Sequence, residues 1–422
     1  MWLLTRLCAD VTTVGISDLG AISKKQMYYL GIASGILTVL TWLFTLFLLP
    51  RLKLAIATIK VACDSLKKVP SLIFFPFAGG LAISAFMVWW VAVGIFVYSS
   101  GQLRKRDCCA SVQVAFAELY PSYVGTPDCA EIHCGYELVM NDSLRHALIY
   151  HGFEFLWTTQ FIIAFSTLTV SQVVYRCYLA GGGSGVELPA WPLGRAMYNT
   201  CRFYLGSCAL GSLVVASVQF FRYAMMYFMQ RLKKVAENNT FVRVLMWIVN
   251  FLLWLLQKIV ELISHNAYVI IAIEGTGFCS SAGTATALMT ANFVRLATLT
   301  VVADSMLFLA KLGTAATSAF FTFVYLDRTF PHGQLSSPII PVIVVFLTAF
   351  AIASVGFGVV EQAINATMLA KINDEDKPGH EGWAPPELQD AQQMADAHDA
   401  QVAEKAKAKR GCCTAAPAAD AA

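Results

Sequence analysis

Five stretches of the chain, residues 27–49, 72–98, 155–175, 203–221 and 339–360, run without a charged residue and are apolar on all sides of a helix rather than on one stripe. A hydrocarbon core takes about 20 such residues per crossing, because every backbone polar group must be paired within the segment. Two further segments read as spans with complications. Residues 244–257, with Leu252, Leu253, Trp254, Leu255 and Leu256, are strongly apolar but soon reach Lys258 and Glu261. Residues 301–326 are long enough yet carry Asp304 and Lys311, and charges at that depth face a bundle interior or a water-filled cavity. The expected fold is therefore all-α, a polytopic membrane protein of about seven helices, near 27–49, 72–98, 150–175, 203–227, 242–263, 301–326 and 339–361.

Composition agrees. Of 422 residues 57% are apolar and 14% charged, against about 25% charged in a soluble domain, and cores of soluble chains stop growing beyond about 250–300 residues. A net charge of +3 from 30 basic and 27 acidic residues gives no support for nucleic-acid binding. Twelve cysteines are too sparse for a disulfide scaffold. Residues 1–20 lack the order of a signal peptide, which leaves 27–49 as the signal anchor or points to segments upstream.

The connections set an orientation. Residues 51–69, with Lys53, Lys60, Lys67 and Lys68, read as a basic loop retained in the cytosol. Residues 99–147 hold Cys108, Cys109, Cys129 and Cys134, candidates for disulfide pairing with open connectivity, and the glycosylation sequon at Asn141. They read as an exterior loop, although Arg104, Lys105 and Arg106 run against the charge rule. Residues 1–26 are expected outside. Gly181–Gly182–Gly183–Ser184–Gly185 lacks the lysine of a phosphate loop and reads as a flexible connector. From 373 to 422 the chain turns polar and reads as a disordered cytosolic tail, with Cys412 and Cys413 as free thiols or palmitoylation sites. Gly31 and Gly35 suit close helix packing. No histidine pair has metal-ligand spacing, so neither a metal nor a cofactor is expected.

Two stretches resemble the choline transporter-like family of ten-span solute carriers. One is RLKLAIATIKVACDSLKKVPSLIFFPF from Arg51; the other, more specific, is NAYVIIAIEGTGFCSSAGTA from Asn266. Asp304 and Lys311 also fall where that family has an acid and a lysine in its penultimate span. The resemblance covers residues 10–376, with Glu274 where the family has an aromatic residue and Thr276 where it has a lysine or polar residue. It also implies three more spans and a large exterior loop upstream, so the chain resembles the family's C-terminal seven spans, either as a shortened member or as an incomplete gene model. By that register the N-terminus is outside and the C-terminus cytosolic, in a multi-pass protein of the plasma membrane.

The resemblance implies a secondary, alternating-access carrier for choline or a related small organic cation. A quaternary ammonium has no N–H to donate and is held by aromatic faces, with a carboxylate sometimes nearby. Glu154, Trp157, Phe161 and Phe165 share one helix face and are the first candidates for such a cage; Phe86, Trp89 and Phe96 on the preceding span are the second. Tyr98, Tyr204, Tyr223 and Tyr227 read as interfacial belt residues. Asp304 and Lys311, about 10 Å apart along a helix axis, are too distant to pair and are each expected to meet another partner in gating or coupling. Glu361 is placed at the cytosolic mouth. Two other readings stand beside the carrier: a membrane-embedded lipid-modifying enzyme using His151 or His265, and a shortened, non-transporting member that associates with full-length relatives.

Overall fold

The chain divides into two compact units, Met1–Lys53 with Met394–Ala422, and Leu54–Gln393. The computed structural model describes residues 55–107, 133–235, 240–329, 339–377, 383–391 and 393–394. All of these but Met394 belong to the larger unit, whose architecture follows. Helix α1 spans residues 55–68 and α2 Ser71–Ser99; strands β1 (Gln102–Asp107) and β2 (His133–Val139) come next. Then follow α3 (Asp142–Gly181), α4 (Pro192–Asn199), a π-helical turn (Thr200–Tyr204), α5 (Leu205–Val235), α6 (Thr240–Glu274), α7 (Phe278–Ala291), α8 (Phe293–Thr329) and α9 (Ile339–Glu375). A short α10 covers residues 386–391.

Among the described residues, six stretches are long and apolar enough to cross a membrane: α2, α3, α4 through α5, α6, α8 and α9. The protein is an all-α, multi-pass membrane protein. The expected span at 27–49 lies outside the described residues, as do Gly31, Gly35, Cys108, Cys109, Cys129, Cys412 and Cys413. Helix α3 is the hub, packed against α2, α5, α6 and α9, while α8 runs along α9. The two ends of the 99–147 connection form an antiparallel ribbon, Gln102 opposite Val139.

The helices overrun their apolar runs. Helix α3 has 40 residues, about 60 Å at 1.5 Å per residue, twice the hydrocarbon thickness of about 30 Å. Its last turns stay buried all round, from Leu168 to Val174 and at Cys177 and Tyr178. Spans expected to end at 175, 263 and 361 end instead at Gly181, Glu274 and Glu375, because protein, not lipid, covers the polar continuation. Part of that cover is α1. The expected basic loop is largely a helix that buries Ala57, Val61, Ala62 and Leu66 and exposes Lys60, Lys67 and Lys68.

Two more expectations are corrected at this end. The chain from 373 to 377 completes and caps α9, and residues 383–391 are folded, with Ala384, Leu388 and Ala391 buried. The glycine run is a contact surface rather than a slack connector: a Cβ on Gly182 would overlap the Trp383 carbonyl, and one on Gly181 would touch Pro385.

Two local irregularities of the bundle bear on the site. In the π turn, Thr200 is pinned to α3: Gln172 donates to its hydroxyl at 2.9 Å, and that hydroxyl bonds the Ala196 carbonyl at 2.9 Å. The other is the gap between α6 and α7. Gly275 adopts φ +73°, its N–H still bonded to Ile271 O at 2.9 Å, and Gly277 restarts the helix in extended geometry. A left-handed residue in this position ends a helix and favours glycine.

A matched pair of substitutions tests this break. Gly275→Ala meets about 1–2 kcal/mol of backbone strain, with its Cβ 3.1 Å from the Tyr204 hydroxyl. It is expected to lower the apparent unfolding temperature in detergent. Gly283→Ala lies within α7 with nothing near its Cβ and is expected to leave that temperature unchanged or raise it. Equal effects of the two would contradict the role assigned to Gly275.

Candidate functional site

The interrupted α6–α7 segment collects aromatic side chains from four elements. Ala164 and Leu168 of α3, Cys208 of α5, Ala267, Tyr268 and Ile271 of α6 and Phe278 of α7 form one buried cluster, with Phe161 and Tyr204 packed against it. The Tyr268 and Phe278 rings lie 5.7 Å apart. They approach because α5 has no side chain at Gly211, where a Cβ would overlap the Tyr268 hydroxyl and the Phe278 ring. The Tyr268 hydroxyl is buried without a hydrogen-bond partner among the described residues, a costly state for a polar group in a dry interior.

Tyr204 also lines a cavity of about 370 Å³ between the last turns of α3, the π turn and the last turns of α6, with Gln172, Tyr175, Arg176, Asn199 and Ile273. Tyr175 stacks on Tyr178, ring centroids 6.2 Å apart, and lies within electrostatic range of Glu274 and Asp374. Glu274, the residue before the break, has its side chain 13% exposed and accepts from Lys377 Nζ at 2.6 Å.

The aromatic–acid stripe foreseen on α3 divides in two. Trp157 turns to α5, its Nε1 donating to Ala209 O at 3.3 Å, and Phe161 joins the cluster. Glu154 instead keeps to partners on its own helix, accepting from Thr158 Oγ1 at 3.3 Å and lying 3.8 Å from Nδ1 of His151, whose ring stacks on Trp90 of α2. Phe165 is half-buried, and its carbonyl accepts the Thr169 hydroxyl. On α2, Phe86 stacks against Trp89 and Phe155, but Trp89 and Phe96 are 54% and 73% exposed. The second group does not converge on a cage: Phe86 packs on α3, whereas Trp89 and Phe96 stand exposed.

His151 is held at one ring nitrogen. Its ring stacks on Trp90, and its Nε2 lies 3.1 Å from Trp90 O, an atom that can only accept, so Nε2 carries the hydrogen.

A second polar centre lies between α6, α8 and α9. A cavity of about 390 Å³ is lined by Lys258, Glu261, His265, Asp304 and Glu361 among others. Lys311 meets Glu361, Nζ to Oε2 3.5 Å, the bundle partner the sequence calls for. Glu361 itself is corrected from a helix end to a position well inside α9. Glu261 is the hub of a network unseen in the sequence: it accepts from Gln219 at 3.1 Å, Gln257 at 2.6 Å and Lys258 at 2.8 Å, while Arg222 donates to Gln257 at 2.6 Å. The signal available was Gln219 and Arg222 recurring one turn apart at the end of an apolar run. Tyr204, Tyr268 and Phe278 were also missed as a group, since they come from separate elements; Tyr268 and Phe278 lie inside the stretch from Asn266 that carries the family resemblance.

Comparison with known proteins places these features in a family. A family model described as plasma-membrane choline transporter matches residues 32–376. "Choline transporter protein 1" of Arabidopsis thaliana is 31% identical over 359 residues, 83% of this chain and 50% of that protein. "Choline transporter-like protein 2" of Bos taurus is 30% identical over 80% of this chain, and that of Homo sapiens 29% over 80%. The chain spans about half the length of these curated relatives. The match from residue 32 to 376 runs through both polar centres and the helix break, and on it the chain belongs to the plasma-membrane choline transporter family.

Proposed function

We propose that the protein is a secondary carrier for choline or a closely related small organic cation, working in the plasma membrane by alternating access with its C-terminus in the cytosol. The observation that carries the reading is the interruption of α6 and α7 at Gly275–Gly277, where Phe161, Tyr204, Tyr268 and Phe278 gather beside a cavity of about 370 Å³. Broken helices of this kind mark substrate sites in transporters, since non-helical backbone at membrane depth is tolerated only inside protein or beside a cavity. Aromatic faces suit a quaternary ammonium, and Glu274 and Asp374 supply negative potential near Tyr175. Trp157 and Phe161 retain a role in substrate binding; Glu154 supports the α2–α3 seam. Asp304, Lys311 and Glu361 gate or couple transport from the second cavity. Asn141, exposed at the N-cap of α3, is the expected glycosylation site, and Cys134 of β2 is expected to take part in a disulfide.

Uptake of labelled choline into proteoliposomes tests the carrier reading: saturable uptake is expected, and its absence from correctly inserted protein refutes it. Phe161→Ala and Tyr204→Ala should raise KM by roughly two- to thirtyfold, the equivalent of losing about 0.5–2 kcal/mol of cation–π contact, while Phe96→Ala leaves KM unchanged.

Charge reversal addresses the gate. Lys311→Glu and Glu361→Lys singly should each reduce uptake at least tenfold, and the double reversal should recover most of it, because adjacent charges couple where distant ones add. A double variant no better than either single one excludes a gating pair.

A further inference from the structure

The elements around the candidate substrate cavity are tied together at one end of the bundle by the segment that follows α9. Residues 383–391 lie across the turn after α3: a Cβ on Gly182 would overlap the Trp383 carbonyl, and one on Gly181 would come within 3.5 Å of Pro385. Leu388, 1% exposed, anchors α10, and Glu387 forms a 2.7 Å ion pair with Lys60 of α1. Nearer the end of α9, Lys377 holds Glu274 at the break at 2.6 Å. Glu375 accepts two hydrogen bonds from Arg295 of α8, at 2.7 and 3.2 Å.

The anchors are chain neighbours of the cavity wall. Leu179 and Val186, both lining the cavity, flank the glycine turn on which the segment rests; Ile273, also lining it, precedes Glu274. Moving the α3–α4 turn away from the end of α6 would open the cavity at this side; Lys377 holds the one and residues 383–391 rest on the other. The tie is suited to release. Its ion pair to α1 is exposed, and exposed pairs contribute only about 0–1 kcal/mol. Its backbone sits on glycines that present no side chain to interlock.

We infer that residues 383–391 form a strap that latches the cavity shut at this end, and that the strap must lift from the Gly181–Gly182 turn once in each transport cycle. The inference rests on the carrier reading above and adds to it a moving part and the point where it detaches.

The test is a Lys60→Cys/Glu387→Cys chain bridged by a short bismaleimide, since two cysteines replacing long side chains leave a gap wider than a disulfide spans. Bridging is expected to cut choline uptake at least tenfold relative to the unbridged double variant, with choline binding in detergent retained. Uptake at the unbridged rate overturns the strap. If the unbridged chain does not take up choline at all, the carrier reading fails and the strap is still decided by labelling. In detergent-solubilised protein, Leu179→Cys should react with a bulky maleimide at least fivefold more slowly after bridging, with the modified position located by mass spectrometry. Equal labelling rates before and after bridging overturn the strap whatever the substrate.

Discussion

A membrane-spanning chain must pair its backbone polar groups within each helix, and the α6–α7 segment departs from this. At Gly275–Gly277 the ladder stops, and the freed groups need other surroundings. The protein supplies them from every side. Tyr204 of the π turn sits against Gly275, Thr276 and Ser281 share a 2.6 Å hydrogen bond, and Lys377 donates to Glu274. The Tyr268 and Phe278 rings close over the segment through the space left by Gly211. Remove the break and none of these arrangements has a purpose: the glycines, the π turn and the lysine after α9 answer one another.

The lengths of the helices follow from the same end of the molecule. Helices α3 and α9 are too long for the bilayer, and their burial increases along the chain. Lipid cannot account for that, so the terminal turns are packed in protein, partly α1 and residues 383–391. These turns bear Tyr175, Tyr178, Lys371 and Glu375. A protein-packed layer thus continues the bundle at this end and supplies its ionic fastenings, whereas the opposite end is linked to the β ribbon.

How far the sequence reveals this depends on which force acts locally. Charge-free runs locate the cores of the spans because the bilayer alone selects for them. They fail at the ends: Glu274 and Glu375 belong to helices whose polar turns are covered by other segments, and no local pattern reports that cover. For the same reason the tail from 373 reads as disordered while Leu388 is in fact buried. At the candidate site, helical spacing puts Trp157 and Phe161 on one face, but spacing is blind to the neighbouring helix. It gives Phe86, Trp89 and Phe96 the same weight although two of them face outward, and it cannot see His151 drawing Glu154 aside. Lys311 is legible as a residue needing a partner, since a charge in an apolar run demands one; Glu361 is identified only when α8 and α9 lie side by side.

The distribution of charge explains why two polar centres coexist in so apolar a chain. Around the second cavity Lys258 offsets Glu261 and Lys311 offsets Glu361, while Asp304, which forms no ion pair among the described residues, lines the cavity with them. Buried charge is tolerated when paired and hydrogen-bonded, and Glu261 shows how fully, with donors from Gln219, Gln257 and Lys258. The cluster at the break follows the opposite rule: rings rather than charges line it, and its acids Glu274 and Asp374 stand at the margin. An organic cation that sheds its water needs soft aromatic faces at close range and negative potential at longer range, because a paired carboxylate in direct contact would already be occupied by its own lysine. The break meets that requirement and the ion-paired cavity does not, which is the physical ground for proposing substrate at the first and conformational control at the second.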